Sequence, residues 1–89
     1  MAHVSIPSLL RPLCGGKREM ELPGTTVREV LEALDAACPG MGIRLLDGDS
    51  LRPALGISID GEMAGADLNK QVAPHSEIAI IPAIAGGEL

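Results

Sequence analysis

The chain has 89 residues, seven basic against twelve acidic side chains for a formal charge of -5, and no aromatic residue, which bounds it to one small domain with a core of Leu, Ile, Val, Met and Ala. That charge repels a phosphate backbone rather than releasing its counterions, and no aromatic platform is present for stacking bases, so nucleic-acid binding is not expected. No apolar run approaches the roughly 20 residues of a membrane helix, and Met1-Ala2-His3-Val4 has neither a basic nor a hydrophobic leader segment, so a cytoplasmic protein without membrane contact is expected.

The first segment, His3 to Leu10, places Val4 and Ile6 on one face and reads as a strand, with Pro7 where no ladder bond is required. Cys14-Gly15-Gly16-Lys17 reads as a hairpin turn and Glu19-Met20-Glu21-Leu22 as the returning strand. Pro23-Gly24 breaks that strand. Thr26 with Glu29 three residues later is a capping-box signature, and Val27, Val30, Leu31, Leu34 and Cys38 come next at helical spacing until Pro39-Gly40 ends the helix. A short helical turn is expected over Gly42 to Leu46, then a loop through Asp47-Gly48-Asp49-Ser50 and Arg52-Pro53. Leu55, Ile57 and Ile59 alternate up to a tight Asp60-Gly61 turn, and a polar stretch around Asn69-Lys70 leads to a last strand, Glu77 to Ile81. Ile78 and Ile80 should point inward, with Ala79 and Ile81 on the other face. The pattern is that of an α+β layer, one helix covering one face of a small mixed sheet.

Little in this framework supports an active site of its own. His3 lies near the terminus and His75 in a predicted turn, and neither belongs to a nucleophile, base or metal motif. Asp47, Asp49, Asp60 and Glu62 form no cation-binding loop and read as solvated charges. Cys14 and Cys38 are too few for a disulfide scaffold and lack metal-ligand spacing, which points to reduced cysteines. Cys38 falls on the apolar helix face as a small hydrophobe. Cys14 reads as an exposed, inert turn residue, although Lys17 and Arg18 beside it would lower its pKa. Arg11, Lys17, Arg18 and Arg28 read as solvated charge rather than a basic patch. The acidic surface either suits a partner with a basic docking face or simply keeps the domain soluble.

The last strand runs into Pro82-Ala83-Ile84-Ala85-Gly86-Gly87, trailed by Glu88 and Leu89. Small residues ending in two glycines cannot extend a core. Stretched out, Ala83 to Gly87 would span on the order of 17 Å, enough to thread a carboxylate into another protein's active site. Ile81, apolar and outward beside this tail, is the candidate for partner docking. Residues 1–82 are expected to be the folded domain and 83–89 a flexible tail.

The segments Val4-Ser5-Ile6-Pro7-Ser8-Leu9-Leu10-Arg11-Pro12 and Ile80-Ile81-Pro82-Ala83-Ile84-Ala85-Gly86-Gly87 together resemble the ubiquitin-like sulfur carriers of the MoaD and ThiS type, CysO-type carriers most of all. The resemblance implies a β-grasp fold with the first and last strands adjacent and parallel at the sheet centre. It implies a protein that is not an enzyme and holds no cofactor. An E1-like enzyme would use ATP to adenylate Gly87, sulfur would displace AMP to leave a thiocarboxylate, and a synthase would pass that sulfur to an acceptor for cysteine or another sulfur-containing metabolite. Ile84, Ala85 and Gly86 would be recognised in the partner's narrow channel. Such carriers usually end at the second glycine, so the bond between Gly87 and Glu88 is the expected processing site, cut by a JAMM-type metallopeptidase. The same ending also suits the small subunit of a molybdopterin-synthase-like complex, or a ubiquitin-like protein modifier.

Overall fold

The structure, a computed structural model, describes residues 1–48, 50–53, 55–65 and 67–82, Pro82 by its backbone alone. Among these residues seven strands and two α-helices run in the order β1 (Ala2–Ser5), β2 (Glu19–Leu22), α1 (Val27–Ala37), α2 (Met41–Leu45), β3 (Leu46–Asp47), β4 (Ser50–Leu51), β5 (Leu55–Ile59), β6 (Glu62–Gly65) and β7 (Glu77–Pro82). Five of the strands form one sheet in the order β2-β1-β7-β5-β6, and β3 with β4 forms a separate two-stranded ladder. β1 and β7 run parallel at the centre and the other pairs are antiparallel. This is the β-grasp arrangement that the resemblance implies.

Burying one face of this sheet requires an amphipathic helix, and α1 supplies it through Val27, Val30, Leu31 and Leu34, all buried. They join one core with Val4, Ile57, Ile78 and Ile80 from the sheet, Ile6 just past the end of β1, and Met41 and Leu45 from α2. The start of α1 is fixed locally. Thr26 Oγ1 accepts the Glu29 N–H at 3.2 Å, and the Glu29 carboxylate accepts the backbone N–H and hydroxyl of Thr25 at 2.7 and 2.9 Å, one residue before the usual partner of a capping box. At the other end Cys38 caps the helix, its N–H bonded to the Leu34 carbonyl, and Gly40 at φ 96° turns the chain into α2.

The opening hairpin differs from expectation. β1 ends at Ser5, and the chain then winds through a 3-10 segment, Ser8–Cys14, before the Gly15-Gly16 turn delivers it to β2. Pro7 is the reason. Without an amide donor it cannot continue the ladder, and its φ of -63° suits the entry to a 3-10 turn. β3 and β4 form a small ladder within and beside the stretch from Asp47 to Ser50 expected as loop. β6, Glu62–Gly65, is a further strand between the Asp60-Gly61 turn and the polar stretch around Asn69-Lys70 that the sequence pattern does not predict.

The cysteines are also corrected. Cys14 is buried rather than exposed, and it is joined to Cys38 by a disulfide, with Cα atoms 4.9 Å apart. The 3-10 segment brings Cys14 against the C-terminal cap of α1, a proximity that depends on the winding of the segment and has no signature in the spacing of the two residues. Cys38 is buried in the core as expected.

Candidate functional site: the open face of the sheet and the chain beyond β7

Ile84, Ala85, Gly86, Gly87 and Glu88 lie outside the described residues, as does the whole expected tail, 83–89. The structure does place the platform that leads to them. In β7, Ile78 and Ile80 are buried at 1% and 4% exposure, while Ala79 and Ile81 are half-buried on the opposite, open face. The alternation expected for this strand is therefore observed.

Register fixes the neighbours of Ile81. Gly56 of β5 is its partner, and the next row on the open face runs Ser5, Ala79, Ser58 and Met63 across β1, β7, β5 and β6. Small residues at the centre leave a low floor, and Met63 stands 63% exposed at its edge. A Cβ on Gly56 would come within 3.0 Å of the Met63 Cε, so the glycine makes room for that methyl beside Ile81. Neither Gly56 nor Met63 was a sequence candidate, because β6 carries no apolar alternation that reveals which face Met63 takes.

The other end of the open face is acidic. His3 pairs in register with Glu21 on β2 and Glu77 on β7, and its Nε2 lies 3.0 Å from Glu19 Oε1. His3 is thus tied into the sheet surface rather than idle at the terminus. His75 is exposed in a turn, as expected. The open face therefore runs from carboxylates at the start of β7 to Ala79, Ile81, Gly56 and Met63 at its end, where the chain leaves toward residue 83.

Asp60 departs from its expected role as a solvated charge. At φ 53° it occupies the left-handed turn before Gly61, and its carboxylate accepts the Glu77 N–H at 2.8 Å and the Ser76 hydroxyl at 3.1 Å. It thereby ties the β5–β6 turn to the first residue of β7. Asp47 and Glu62 are exposed, and Asp49 lies outside the described residues. Lys17 and Arg18 are exposed, Arg28 is half-buried on α1, and Arg11 donates its Nε–H to the Ile6 carbonyl at 2.9 Å, so Arg11 is not a free docking charge. Among the described residues no three His, Cys, Asp or Glu side chains group closely enough to hold a metal ion, and no helix is long and apolar enough to cross a membrane.

Residues 4–87 match the ThiS family. The chain is 34% identical to the sulfur carrier protein CysO of Mycobacterium tuberculosis, with 94% of this chain and 96% of the relative covered, and equally so to that of Mycobacterium bovis. Among solved structures it resembles a chain of the Amycolatopsis orientalis BexX/CysO complex with a TM-score of 0.89 at 30% identity, covering 98% of this chain and all of that one. Mycobacterium tuberculosis CysO gives a TM-score of 0.84 at 31% identity, 93% of this chain and 99% of that one being covered. The small archaeal modifier protein SAMP1 of Haloferax volcanii gives 0.74 at 26% identity, with 97% and 98% covered. An α1-covered sheet with a central parallel β1–β7 pair, the two matching end segments and these relatives agree: the chain belongs to the ThiS family and is a ubiquitin-like sulfur carrier of the CysO type, not an enzyme.

Proposed function

We propose that Gly87 is the residue that carries sulfur, and that it does so after a partner peptidase has removed Glu88 and Leu89. The observation that carries this reading is that the family match stops at Gly87 although the chain continues with Glu88. In this form the Gly87 carbonyl is held in a peptide bond and has no carboxylate to activate. Hydrolysis between Gly87 and Glu88 by a JAMM-type metallopeptidase supplies one.

The free carboxylate is a poor electrophile, so an E1-like enzyme uses ATP to convert it to an acyl-adenylate with release of pyrophosphate. Sulfide, supplied by a donor, attacks the carbonyl, and the carbon–oxygen bond to AMP breaks with its electron pair leaving on the phosphate oxygen. The Gly87 thiocarboxylate remains once the sulfur has lost its proton. Its sulfur is the nucleophile that a synthase directs at an activated acceptor in the making of cysteine or another sulfur-containing metabolite. This chain brings no cofactor of its own to the cycle. It supplies a narrow tail, Ile84-Ala85-Gly86-Gly87, in which the glycines present no β-carbon to the walls of a partner's channel. It also supplies the open-face surface around Ile81 on which that partner rests. The Amycolatopsis orientalis BexX/CysO complex, in which a similar chain is held with another protein, supports a function exercised in complexes.

Intact-mass analysis of the protein from its own cells, with fragmentation of the C-terminal peptide, tests the reading. A chain ending at Gly87, with one oxygen replaced by sulfur in part of the population, is the expected result. Retention of Glu88 in every molecule while the pathway is active overturns it. Likeness to SAMP1 favours one second reading, a protein modifier, which Gly87 joined through isopeptide bonds to lysines of other proteins would reveal.

A further inference from the structure

The chain between β1 and β2 has little directed bonding to the helices it covers. Its hydrogen bonds close on itself: Ile6 N–H to the Arg18 carbonyl at 2.8 Å, Leu10 N–H to Pro7 at 2.9 Å, Gly16 N–H to Arg11 at 2.8 Å, Lys17 N–H to Cys14 at 3.3 Å, and the Arg11 Nε–H to Ile6. Among the described residues none of them reaches α1 or α2. Pro12 inside the segment removes a further donor. A 3-10 run of this length is uncommon because its hydrogen-bond geometry is poor, so it needs outside support.

That support comes from the burial of Leu10 and Cys14, the packing of Leu13 against the core, and the Cys14–Cys38 bond. Cys38 is the C-terminal cap of α1, buried at 1% exposure, with the Met20 sulfur 3.5 Å from its own. The disulfide is thus the one directed link from the 3-10 segment to the helical layer among the described residues. The sheet has no such dependence, since β1 is held by ladders to β2 and β7 that do not involve either cysteine.

We propose that Cys14–Cys38 is a redox-operated clamp, closed when the two thiols are oxidised and opened by a dithiol, which fixes the Ser8–Cys14 segment against the end of α1. Opening proceeds by attack of a dithiol sulfur on Cys14, the more exposed of the pair at 7%, which releases Cys38 as a thiol. The second sulfur of the reductant then displaces Cys14 from the mixed disulfide. Two electrons and two protons pass to the protein, and the reductant leaves as a disulfide. Closing is the reverse exchange with a disulfide oxidant. Each freed cysteine remains a small hydrophobe in the core, so the domain stays folded while the segment loosens. The location gives the clamp its consequence. Because β1 and β7 are parallel, the segment leaves the sheet at the same end as the chain leaving β7, and it carries Leu9, 80% exposed, at that end. The proposal requires nothing of the chemistry at Gly87.

The test is hydrogen exchange of the full chain, read by mass spectrometry, after equilibration with oxidised glutathione and again after dithiothreitol. The oxidised protein, denatured without reductant, should take up no iodoacetamide, and the reduced protein two equivalents. On reduction, exchange over residues 8–17 should rise by about tenfold or more while the amides of β7 keep their protection. A double variant, Cys14→Ala with Cys38→Ala, should match the reduced wild type and ignore dithiothreitol. Two reactive cysteines after glutathione treatment would sink the proposal. So would exchange that is unchanged on reduction, or that rises equally in β7.

Discussion

Gly56 and Ile81 are register partners on the open face of the sheet, and the absent side chain of the glycine leaves space for the Met63 methyl beside the isoleucine. The arrangement places apolar surface at the point where β7 hands the chain to residue 83. Because Ile81 faces away from the core and is only half-buried, Ile81→Asp should leave the fold intact, with a melting temperature within a few degrees of wild type. Coupling to the adenylating partner should fall, with kcat/KM for the carrier reduced by roughly tenfold, the equivalent of about 1.4 kcal/mol of lost contact. Pyrophosphate exchange at varied concentration of carriers ending at Gly87, with and without the substitution, measures it. Unchanged coupling in a folded variant removes Ile81 from the docking surface.

The cap of α1 makes a pH-dependent contribution. The backbone N–H and then the hydroxyl of Thr25 hold the Glu29 carboxyl below its ordinary value of 4.5. A carboxyl whose pKa is lowered by folding contributes stability above its unfolded value and loses it as pH falls through the folded one. Glu29→Gln should therefore melt below wild type at pH 7, and the gap should close as pH is taken below 4.5. Thr26→Ala, which removes the acceptor for the Glu29 N–H, should cost roughly 1 kcal/mol at neutral pH. Thermal melts of the three proteins across pH separate the two effects.

Local chemistry made some of this architecture legible and concealed the rest. α1 could be read because Thr26, the apolar spacing and Pro39-Gly40 each act within a few residues, and β7 because Ile78 and Ile80 alternate with Ala79 and Ile81. The parallel contact between β1 and β7 was different: strand patterns carry no partner, and only the likeness of the end segments implied it. β6 was missed because an exposed edge strand of Glu62, Met63, Ala64 and Gly65 has no buried row to produce alternation. The bond between Cys14 and Cys38 was missed for another reason, since it depends on how a 3-10 segment winds after Pro7. At the candidate site the outward direction of Ile81 was legible, but Gly56 and Met63 emerged only from register.

Gly24 tests how tightly the entry to α1 is packed. It holds φ +147°, and a Cβ there would lie 2.8 Å from both the backbone nitrogen and the Cγ2 of Val30, a fully buried residue. Backbone cannot yield as a flexible side chain does. Gly24→Ala should therefore destabilise by about 2 kcal/mol or more, whereas Gly15→Ala, at φ +66° with nothing within 4 Å, should cost only the roughly 1–2 kcal/mol of left-handed backbone. Urea midpoints of the two variants give the comparison, and a smaller loss at Gly24 would show that α1 shifts to accept the methyl.

Asp60 joins two places that are remote in sequence. Its carboxylate holds the Glu77 N–H and the Ser76 hydroxyl, and Ser76, buried at 3% exposure, in turn accepts the Ala73 N–H. Removing the carboxylate leaves the buried hydroxyl without its acceptor, so Asp60→Ala should lose about 1–3 kcal/mol in urea denaturation. Asp60→Asn keeps one side-chain oxygen as acceptor and a residue type that tolerates positive φ. It should retain most of that stability. If the two variants lose equally, the cost arises from the charge rather than from the hydrogen bonds. If neither loses stability, the start of β7 is held by the backbone bond from Asp60 N–H to the Glu77 carbonyl, 2.7 Å long, which both substitutions leave in place.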